Sequence, residues 1–216
     1  MRPYYDEAGI TIYHADCREV LPTVTAGFLL TDPPYGIDYK HGARAGGVLL
    51  GHDGQSIMGD REPFDPSPLV ALGWPSVLWG GNHFADRLPP SKGWLVWDKR
   101  EGRPSNDQSD CELAWTNLLS VARVFSAYWS GAVKHGEEQS QPRYHVNQKP
   151  LALMRWCLAL SAADPVVDPY CGSGSTLVAA KSQGRKAIGI EIEERYCEIA
   201  VKRLAQEVLP LGGTTS

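Results

Sequence analysis

The feature that most constrains this chain is a strand–glycine loop–helix–strand unit near its C-terminal end. Val166-Val167 is a short apolar run. Asp168-Pro169-Tyr170-Cys171-Gly172-Ser173-Gly174-Ser175-Thr176 follows it directly. A helix is expected over Thr176–Gln183, with Leu177 and Ala180 turned inward and Gly184 as its C-terminal cap. A second strand then closes in Gly189-Ile190-Glu191. Two strands joined through a helix lie parallel and bury both faces, so the unit implies an α/β fold.

The same unit points to a ligand. Gly172 and Gly174 let the backbone approach a bound molecule closely, and the helix start offers free N–H groups and a positive dipole end. Glu191, with Ile192 beside it, stands about twenty residues on, where an acid receives the ribose hydroxyls of a nucleotide-type cofactor. The helix carries no third glycine, which speaks against a pyrophosphate. S-adenosylmethionine has a ribose and an adenine but no phosphate, and fits better. A plain glycine turn between strand and helix would use the same residues.

Further strand-like runs are Ile10–His14, Gly27–Thr31, Ser76–Trp79, Trp94–Trp97 and Cys111–Trp115, with Pro165–Asp168 and Ala187–Ile190 in the unit above. Helices are expected over Ser67–Gly73, Pro150–Ala162 and Glu193–Val208, the last with Tyr196, Ala200, Val201 and Leu204 on one face. The alternation predicts three layers. The 216 residues suit one domain, 1–216. Gly36–Glu62 and Gly131–Val146 lack periodicity and read as long functional loops, and Leu211–Ser216 reads as a frayed tail.

The second chemical signal is Asp32-Pro33-Pro34-Tyr35, fed by Phe28-Leu29-Leu30. A parallel strand delivers this tetrapeptide to the sheet edge where ligands of open α/β folds bind. The prolines stiffen the backbone and, lacking N–H groups, leave nearby carbonyls free to accept. The Asp32 carboxylate and the Pro33 carbonyl can receive the two hydrogens of an NH2 group while Tyr35 stacks on its ring. A proline-stiffened turn with an Asp cap is the plainer alternative.

Asn147-Gln148-Lys149-Pro150 opens a helix, with Pro150 in its first turn and Gln148 and Lys149 able to reach a cofactor carboxylate. Asp16-Cys17 ends the strand at Ile10–His14. Asp16 either accepts from an adenine amino group or caps the short segment Arg18–Leu21, and the sequence favours neither.

Together these motifs resemble the DNA amino-methyltransferases that carry a DPPY motif. Asp32–Tyr35 resembles their catalytic motif, Asp168–Gly174 their cofactor loop, Glu191 their ribose clamp and Gln148-Lys149-Pro150 the helix before that loop. Ser76–Phe84, Trp94–Lys99 and Asp110–Trp115 resemble the intervening strands, so the likeness runs from about Ile10 to Leu204. The catalytic motif precedes the cofactor loop, a circularly permuted order that resembles the beta group. The resemblance implies a Rossmann-like, mostly parallel sheet of seven strands, one of them antiparallel, with Pro165–Asp168 beside Phe28–Thr31. It implies methyl transfer from S-adenosylmethionine to the N6 amino group of adenine in double-stranded DNA, with no metal. The cofactor would be held by Asp16, Cys17, Asp32, Gln148, Lys149, Pro150, Asp168, Pro169, Tyr170, Gly172, Ser173, Gly174, Thr176, Glu191 and Ile192. Lys40, His41 and Arg44 are candidate phosphate contacts. The N4 amino group of cytosine is the alternative target, although cytosine members more often carry Ser in place of Asp32. An RNA or protein methyltransferase and a non-catalytic nucleic-acid-binding relative are the remaining readings. A homodimer and a cytoplasmic setting, in a bacterium or a phage-infected cell and within restriction–modification, also follow from the resemblance.

Composition narrows the rest. Net charge is −4, against binding by bulk electrostatics alone. Five cysteines, at 17, 111, 157, 171 and 197, form no CxxC pair, which disfavours a zinc site or disulfide framework and fits a reducing cytosol. No apolar run reaches the roughly 18 residues of a membrane span, and Met1–Glu7 holds no signal core. Asn117–Val146, where the family carries its target-recognition region, holds roughly thirty residues, too few for an independent domain.

Overall fold

The computed structural model describes residues 1–36, 61–105, 109–130, 133–134 and 148–205. In chain order the elements begin with β1 (Tyr5–Glu7), β2 (Ile10–His14), α1 (Cys17–Val20), β3 (Phe28–Thr31), α2 (Ser67–Val70) and β4 (Ser76–Trp79). Then come β5 (Gly93–Asp98), β6 (Cys111–Thr116), β7 (Arg123–Ser126), β8 (Trp129–Ser130) and β9 (Val133–Lys134). The C-terminal part holds α3 (Leu151–Leu158), β10 (Val166–Asp168), α4 (Ser175–Ser182), β11 (Ala187–Glu191) and α5 (Glu194–Ala205).

One nine-stranded sheet runs β1-β2-β11-β10-β3-β4-β6-β5-β7, and β8 and β9 form a separate hairpin. β2, β11, β10, β3 and β4 are mutually parallel. β6 runs antiparallel to both β4 and β5, and β1 antiparallel to β2. β10 lies beside β3, with Val166 opposite Phe28 and Val167 opposite Leu29, as the family resemblance implies.

Among the described residues the sheet has nine strands where seven were expected. The two additions, β1 and β7, are its edges. Each has one neighbour and is largely exposed, so neither carries the apolar run by which a buried strand is read. The span 117–146 is likewise not all loop: β7 pairs in parallel with β5, and β8 and β9 form their hairpin within it. Two helices are shorter than their periodicity suggests, α2 stopping at Val70 and α3 at Leu158. Pro150 stands just before α3 with ψ 140°, outside the helix.

Strand residues alternate between two cores. Phe28, Leu30, Val77, Trp79 and Val166 pack under Leu153, Leu158, Leu177, Ala180, Ala200 and Leu204 of α3, α4 and α5. Leu29, Leu78, Val167 and Ile190 face the other way, onto Val20 of α1 and Leu69 of α2. Helices therefore cover both faces in three layers. The chain leaves β10 for α4 on one face and runs from β3 toward α2 on the other. This reversal opens a crevice at the C-terminal ends of β10 and β3, the switch point where open α/β sheets take ligands. Among the described residues no helix is long and apolar enough to cross a membrane.

Candidate active site

Because β2, β11, β10, β3 and β4 are parallel, the residues that follow them emerge on one edge. A cavity of about 650 Å³ lies there, within the range of about 300–1,000 Å³ usual for ligand sites. The catalytic candidates Asp32, Pro33 and Pro34 line it from the end of β3, and Asp16 and Cys17 from the end of β2. Gln148 and Lys149 line it from the approach to α3. Asp168, Pro169, Tyr170, Gly172, Ser173 and Thr176 come from the glycine loop, and Glu191 and Ile192 from the end of β11. Three candidates stand off the wall. Pro150 is buried at the start of α3, Gly174 backs onto Ala200, and Tyr35 reaches the cavity through its contact with Asp32. Lys40, His41 and Arg44 lie outside the described residues.

The glycine loop is held in place by side chains. Gly172 N–H donates to Glu191 Oε2 at 2.9 Å and Glu193 N–H to Oε1 at 2.8 Å. An ionised carboxylate accepts about four hydrogen bonds, so Glu191 keeps acceptor capacity toward the cavity. Gly174 takes φ +79°, and a Cβ there would meet the Ala200 Cβ at 2.8 Å. Behind the loop Arg203, 5% exposed, donates to the Ser173 carbonyl at 2.6 Å and tethers the loop to α5. In sequence Arg203 reads as an ordinary basic residue in a last helical turn.

Asp168 and Asp32 are joined through the sheet. Thr31 Oγ1 donates to Asp168 Oδ1 at 2.6 Å, and Tyr170 N–H to the same oxygen at 3.2 Å. Burial pushes the Asp168 carboxyl up to about 6. Burial also raises Asp32 and Glu191. Asp16 is pulled below its ordinary value by hydrogen bonds from Arg18. It accepts from Arg18 N–H at 2.9 Å as the cap of α1 and still lines the cavity, so the two roles are compatible.

Around Asp32 the structure assembles an ionic chain of half-buried side chains centred on the buried Lys149. Lys149 Nζ lies 2.6 Å from Asp32 Oδ2, 3.0 Å from Glu112 Oε2 and 3.2 Å from the Tyr35 hydroxyl. Glu112 Oε1 takes Lys99 Nζ at 3.1 Å. The Tyr35 hydroxyl donates to Asp32 Oδ1 in a short hydrogen bond. Burial works against the Lys149 charge, but the two carboxylates outweigh it and carry the ammonium well above its ordinary value. Burial likewise raises Glu112, yet Lys149 and Lys99 together hold it below the usual range. Lys149 Nζ thus donates to Asp32 Oδ2 and the Tyr35 hydroxyl and ion-pairs with Glu112 Oε2, an oxygen that takes no hydrogen bond among the described residues, while the side chain still lines the cavity. Glu112, Lys99 and Thr31 escaped sequence reasoning, because a single acid, base or hydroxyl on a strand has no local signature. Phe64 escaped it too. It lines the cavity and meets Phe84 and Tyr170 edge to face.

The charge of the cavity wall selects among ligands. Asp16, Asp32, Glu62, Asp65, Asp168, Glu191 and Glu193 oppose only Arg18 and Lys149 among the described lining residues. Such a wall repels phosphates and favours a ligand with positive charge. A sulfonium bearing an α-amino group meets that condition, and the Phe64 and Tyr170 rings offer an apolar wall for a base. Cys171 is buried with its thiol pushed well up by that burial, the state of an inert packing group.

The family model described as DNA methylase, of the N6/N4 type, matches residues 74–202. Type II methyltransferase M.ScaI of Streptomyces caespitosus is 27% identical over 97% of this chain and 86% of its own length. Type II methyltransferase M2.DpnII of Streptococcus pneumoniae is 40% identical over 52% of this chain and 42% of its own. Among solved structures, M1.HpyAVI in complex with SAM superposes with TM-score 0.54 at 22% identity, covering 91% of this chain and 99% of that one. The cytosine-N4-specific PvuII DNA methyltransferase gives TM-score 0.59 at 13% identity, covering 100% and 91%.

Proposed function

The chain belongs to the DNA methylase family of the N6/N4 type, and on that premise we propose that it transfers a methyl group from S-adenosylmethionine to the N6 amino group of adenine in DNA. The observation that carries the reading is the placement of Asp32, Pro33 and Pro34 beside the glycine loop and Glu191, around one acidic cavity, with Tyr35 bonded to Asp32 behind them.

When bound, S-adenosylmethionine supplies an electrophilic sulfonium methyl. The rest falls to this chain's residues. Glu191, oriented by Gly172 and Glu193, receives the ribose hydroxyls. The Gly172–Thr176 loop gives backbone room at the start of α4. An aromatic amine is a weak nucleophile because its lone pair is delocalised into the ring. Asp32 and the Pro33 carbonyl accept its two hydrogens, favour a more tetrahedral nitrogen and aim the lone pair at the methyl carbon. With the cofactor bound, the methyl would pass from sulfur to the nitrogen, the S–CH3 electrons remaining with the sulfur, and the Asp32 carboxylate would take the proton that the nitrogen releases and hand it to solvent. Orientation of this kind can supply several kcal/mol. The amino group is out of reach in a stacked duplex, so the base must be flipped out, and Tyr35 stacks on it. No cysteine nucleophile takes part.

Asp32 favours adenine, since cytosine members of the resembling group more often carry Ser there. The test is digestion of DNA treated with the protein and labelled S-adenosylmethionine, followed by mass spectrometry of the nucleosides. N6-methyladenine is expected. N4-methylcytosine would overturn the adenine assignment, and label on RNA or protein alone would overturn the DNA reading. Asp32→Ala should keep cofactor binding and lose turnover by orders of magnitude.

A further inference from the structure

Two charged groups stand outside this chemistry: the half-buried Glu112 on β6 and the buried Lys149 ammonium that it shares with Asp32. On the reading of Asp32 as acceptor for the base amine, we propose that Lys149 is a positioning residue that alternates between two carboxylates, holding Asp32 before the base arrives and withdrawing onto Glu112 when the amine takes its place on Asp32 Oδ2.

The geometry gives Asp32 two engaged oxygens, Oδ1 with the Tyr35 hydroxyl and Oδ2 with Lys149 Nζ. A carboxylate accepts about four hydrogen bonds, but an amine hydrogen that takes the Oδ2 position held by Nζ must displace the ammonium. The Lys149 side chain is 6% exposed, so solvent is poorly placed to receive a displaced ammonium. A buried charge that loses its partner is destabilised unless another waits. Glu112 Oε2, already 3.0 Å from Nζ, is that partner, and the displacement needed is small. Lys99 anchors the other Glu112 oxygen at 3.1 Å, so Glu112 stays with its strand and does not follow the ammonium. A Lys149 paired with Asp32 alone would compete with the substrate for the oxygen the reaction needs. One paired with Glu112 alone would leave Asp32 without the cation that favours its ionised form.

Among the described residues, the groups that act on Asp32 are Lys149 at the start of α3, Glu112 on β6, Tyr35 on its own loop and Asp168 at the end of β10, with Lys99 behind Glu112. Removing the cation or the neighbouring anion therefore moves Asp32 in opposite directions. The experiment measures pH profiles of single-turnover methyl transfer to DNA for wild type, Lys149→Met, Glu112→Gln and Glu112→Asp. A 13C titration of the Asp32 carboxyl in the cofactor-free proteins accompanies it. Lys149→Met should raise the Asp32 titration and the acidic limb of the profile by about one pH unit or more. Glu112→Gln should move both downward and still lower the plateau rate about tenfold or more, because the ammonium no longer has a carboxylate to withdraw to. Glu112→Asp should restore most of the rate. A merely structural role would lower activity without moving the limbs apart. Should a variant fail to fold, 15N spectra of the unaltered protein decide. The Lys149 ammonium resonance should shift when DNA is added with S-adenosylhomocysteine, and a resonance that stays put overturns the alternation. Limbs that move together, or a Glu112→Gln plateau within about twofold of wild type, overturn it as well. A wild type that transfers no methyl group to DNA would overturn the proposed function itself, and the alternation with it.

Discussion

Tyr35 lies face to face with His83, ring centroids 4.7 Å apart and planes 14° from parallel. The ring is also pressed against Gly80, where a Cβ would come within 2.0 Å of Tyr35 Cε1, and its hydroxyl is tied to Asp32. The side chain offered to the flipped base is thus fixed in advance, with one face already covered. Tyr35→Phe keeps the ring and loses the hydrogen bond to a buried carboxylate, so turnover should fall by about one to two orders of magnitude, from about 1.5–3 kcal/mol. Tyr35→Ala loses the stacking surface too and should fall further. Gly80→Ala, which displaces the ring, should approach Tyr35→Ala. Single-turnover rates beside cofactor affinities by calorimetry check this. A Gly80→Ala rate equal to wild type would show that the ring position is immaterial.

Three glycines with positive φ separate ligand approach from packing. At Gly172 (φ +49°) and Gly184 (φ +67°) a Cβ meets nothing within 4 Å, whereas at Gly174 (φ +79°) it meets Ala200 at 2.8 Å. All three alanine variants bear the left-handed backbone cost of roughly 1–2 kcal/mol. Gly174→Ala should lose the most melting temperature. Gly172→Ala should melt like Gly184→Ala yet bind S-adenosylmethionine at least about tenfold more weakly, the factor of about 1.4 kcal/mol. Equal affinity in the Gly172 and Gly184 variants would remove Gly172 from the cofactor contact.

Glu191 makes a related prediction. Its two oxygens each accept a backbone N–H, from Gly172 and Glu193. In Glu191→Gln one end becomes a donor facing a donor, so the loop loses an anchor along with the charge. Cofactor affinity should fall about ten- to hundredfold, from about 1.5–3 kcal/mol, as read by calorimetry. Unchanged affinity would take Glu191 out of the site.

Asp32-Pro33-Pro34-Tyr35 and the 168–176 loop were legible because each is a contiguous stretch whose backbone chemistry is written in adjacent residues. The existence of β10 and β3 followed from their uninterrupted apolar character, and their neighbouring placement from the family resemblance. What surrounds the motifs was not legible. Glu112 and Lys149 are 37 positions apart in the numbering yet share an ion pair, because β6 runs antiparallel next to β4 and brings Glu112 to the active edge. Arg203 reaches the glycine loop from α5, and Thr31 reaches Asp168 across the strand pair. β1 and β7 passed unread since an edge strand needs no apolar face. Asp16 shows a different limit: cap and cavity wall looked like rival roles, and the side chain occupies both positions.

Asp168 makes the fold sensitive to pH in an unusual direction for an aspartate. Its folded value is raised to about 6 by burial, from an ordinary 3.8. Between those values the folded state binds the extra proton, so the contribution is fully present below about pH 4 and is lost as pH rises through about 6. Two units correspond to about 3 kcal/mol. Asp168→Asn, which keeps an acceptor for Thr31 and Tyr170, should melt at a temperature similar to wild type near pH 4 and above it near pH 8, while binding the cofactor less well. Melting curves across that range are the check. A variant that gains nothing at pH 8 would show that the carboxylate is better solvated than its burial implies.

The last prediction concerns how little DNA sequence this enzyme reads. A good bidentate contact to a base edge gives about 1–3 kcal/mol of discrimination, so a long strict site needs several side chains on segments free to enter a groove. Two spans were candidates for that work, 36–62 and 117–146. In the second, β7 is committed to the sheet edge and β8 to its hairpin with β9, which leaves fewer residues for bases than the span's length suggests. The alignment with the Streptomyces relative runs over 267 positions against 216 residues here, so that relative carries segments this chain lacks. The net charge of −4 adds no general attraction to phosphates, so binding should be weak. The expected target is therefore a short or relaxed adenine site, selected largely by the flipped base itself. Sequencing every methylated position in a plasmid exposed to the purified protein measures this directly. A single strict site of about six base pairs or more, methylated by this chain alone, would show that the short segments between the strands read far more than their size allows.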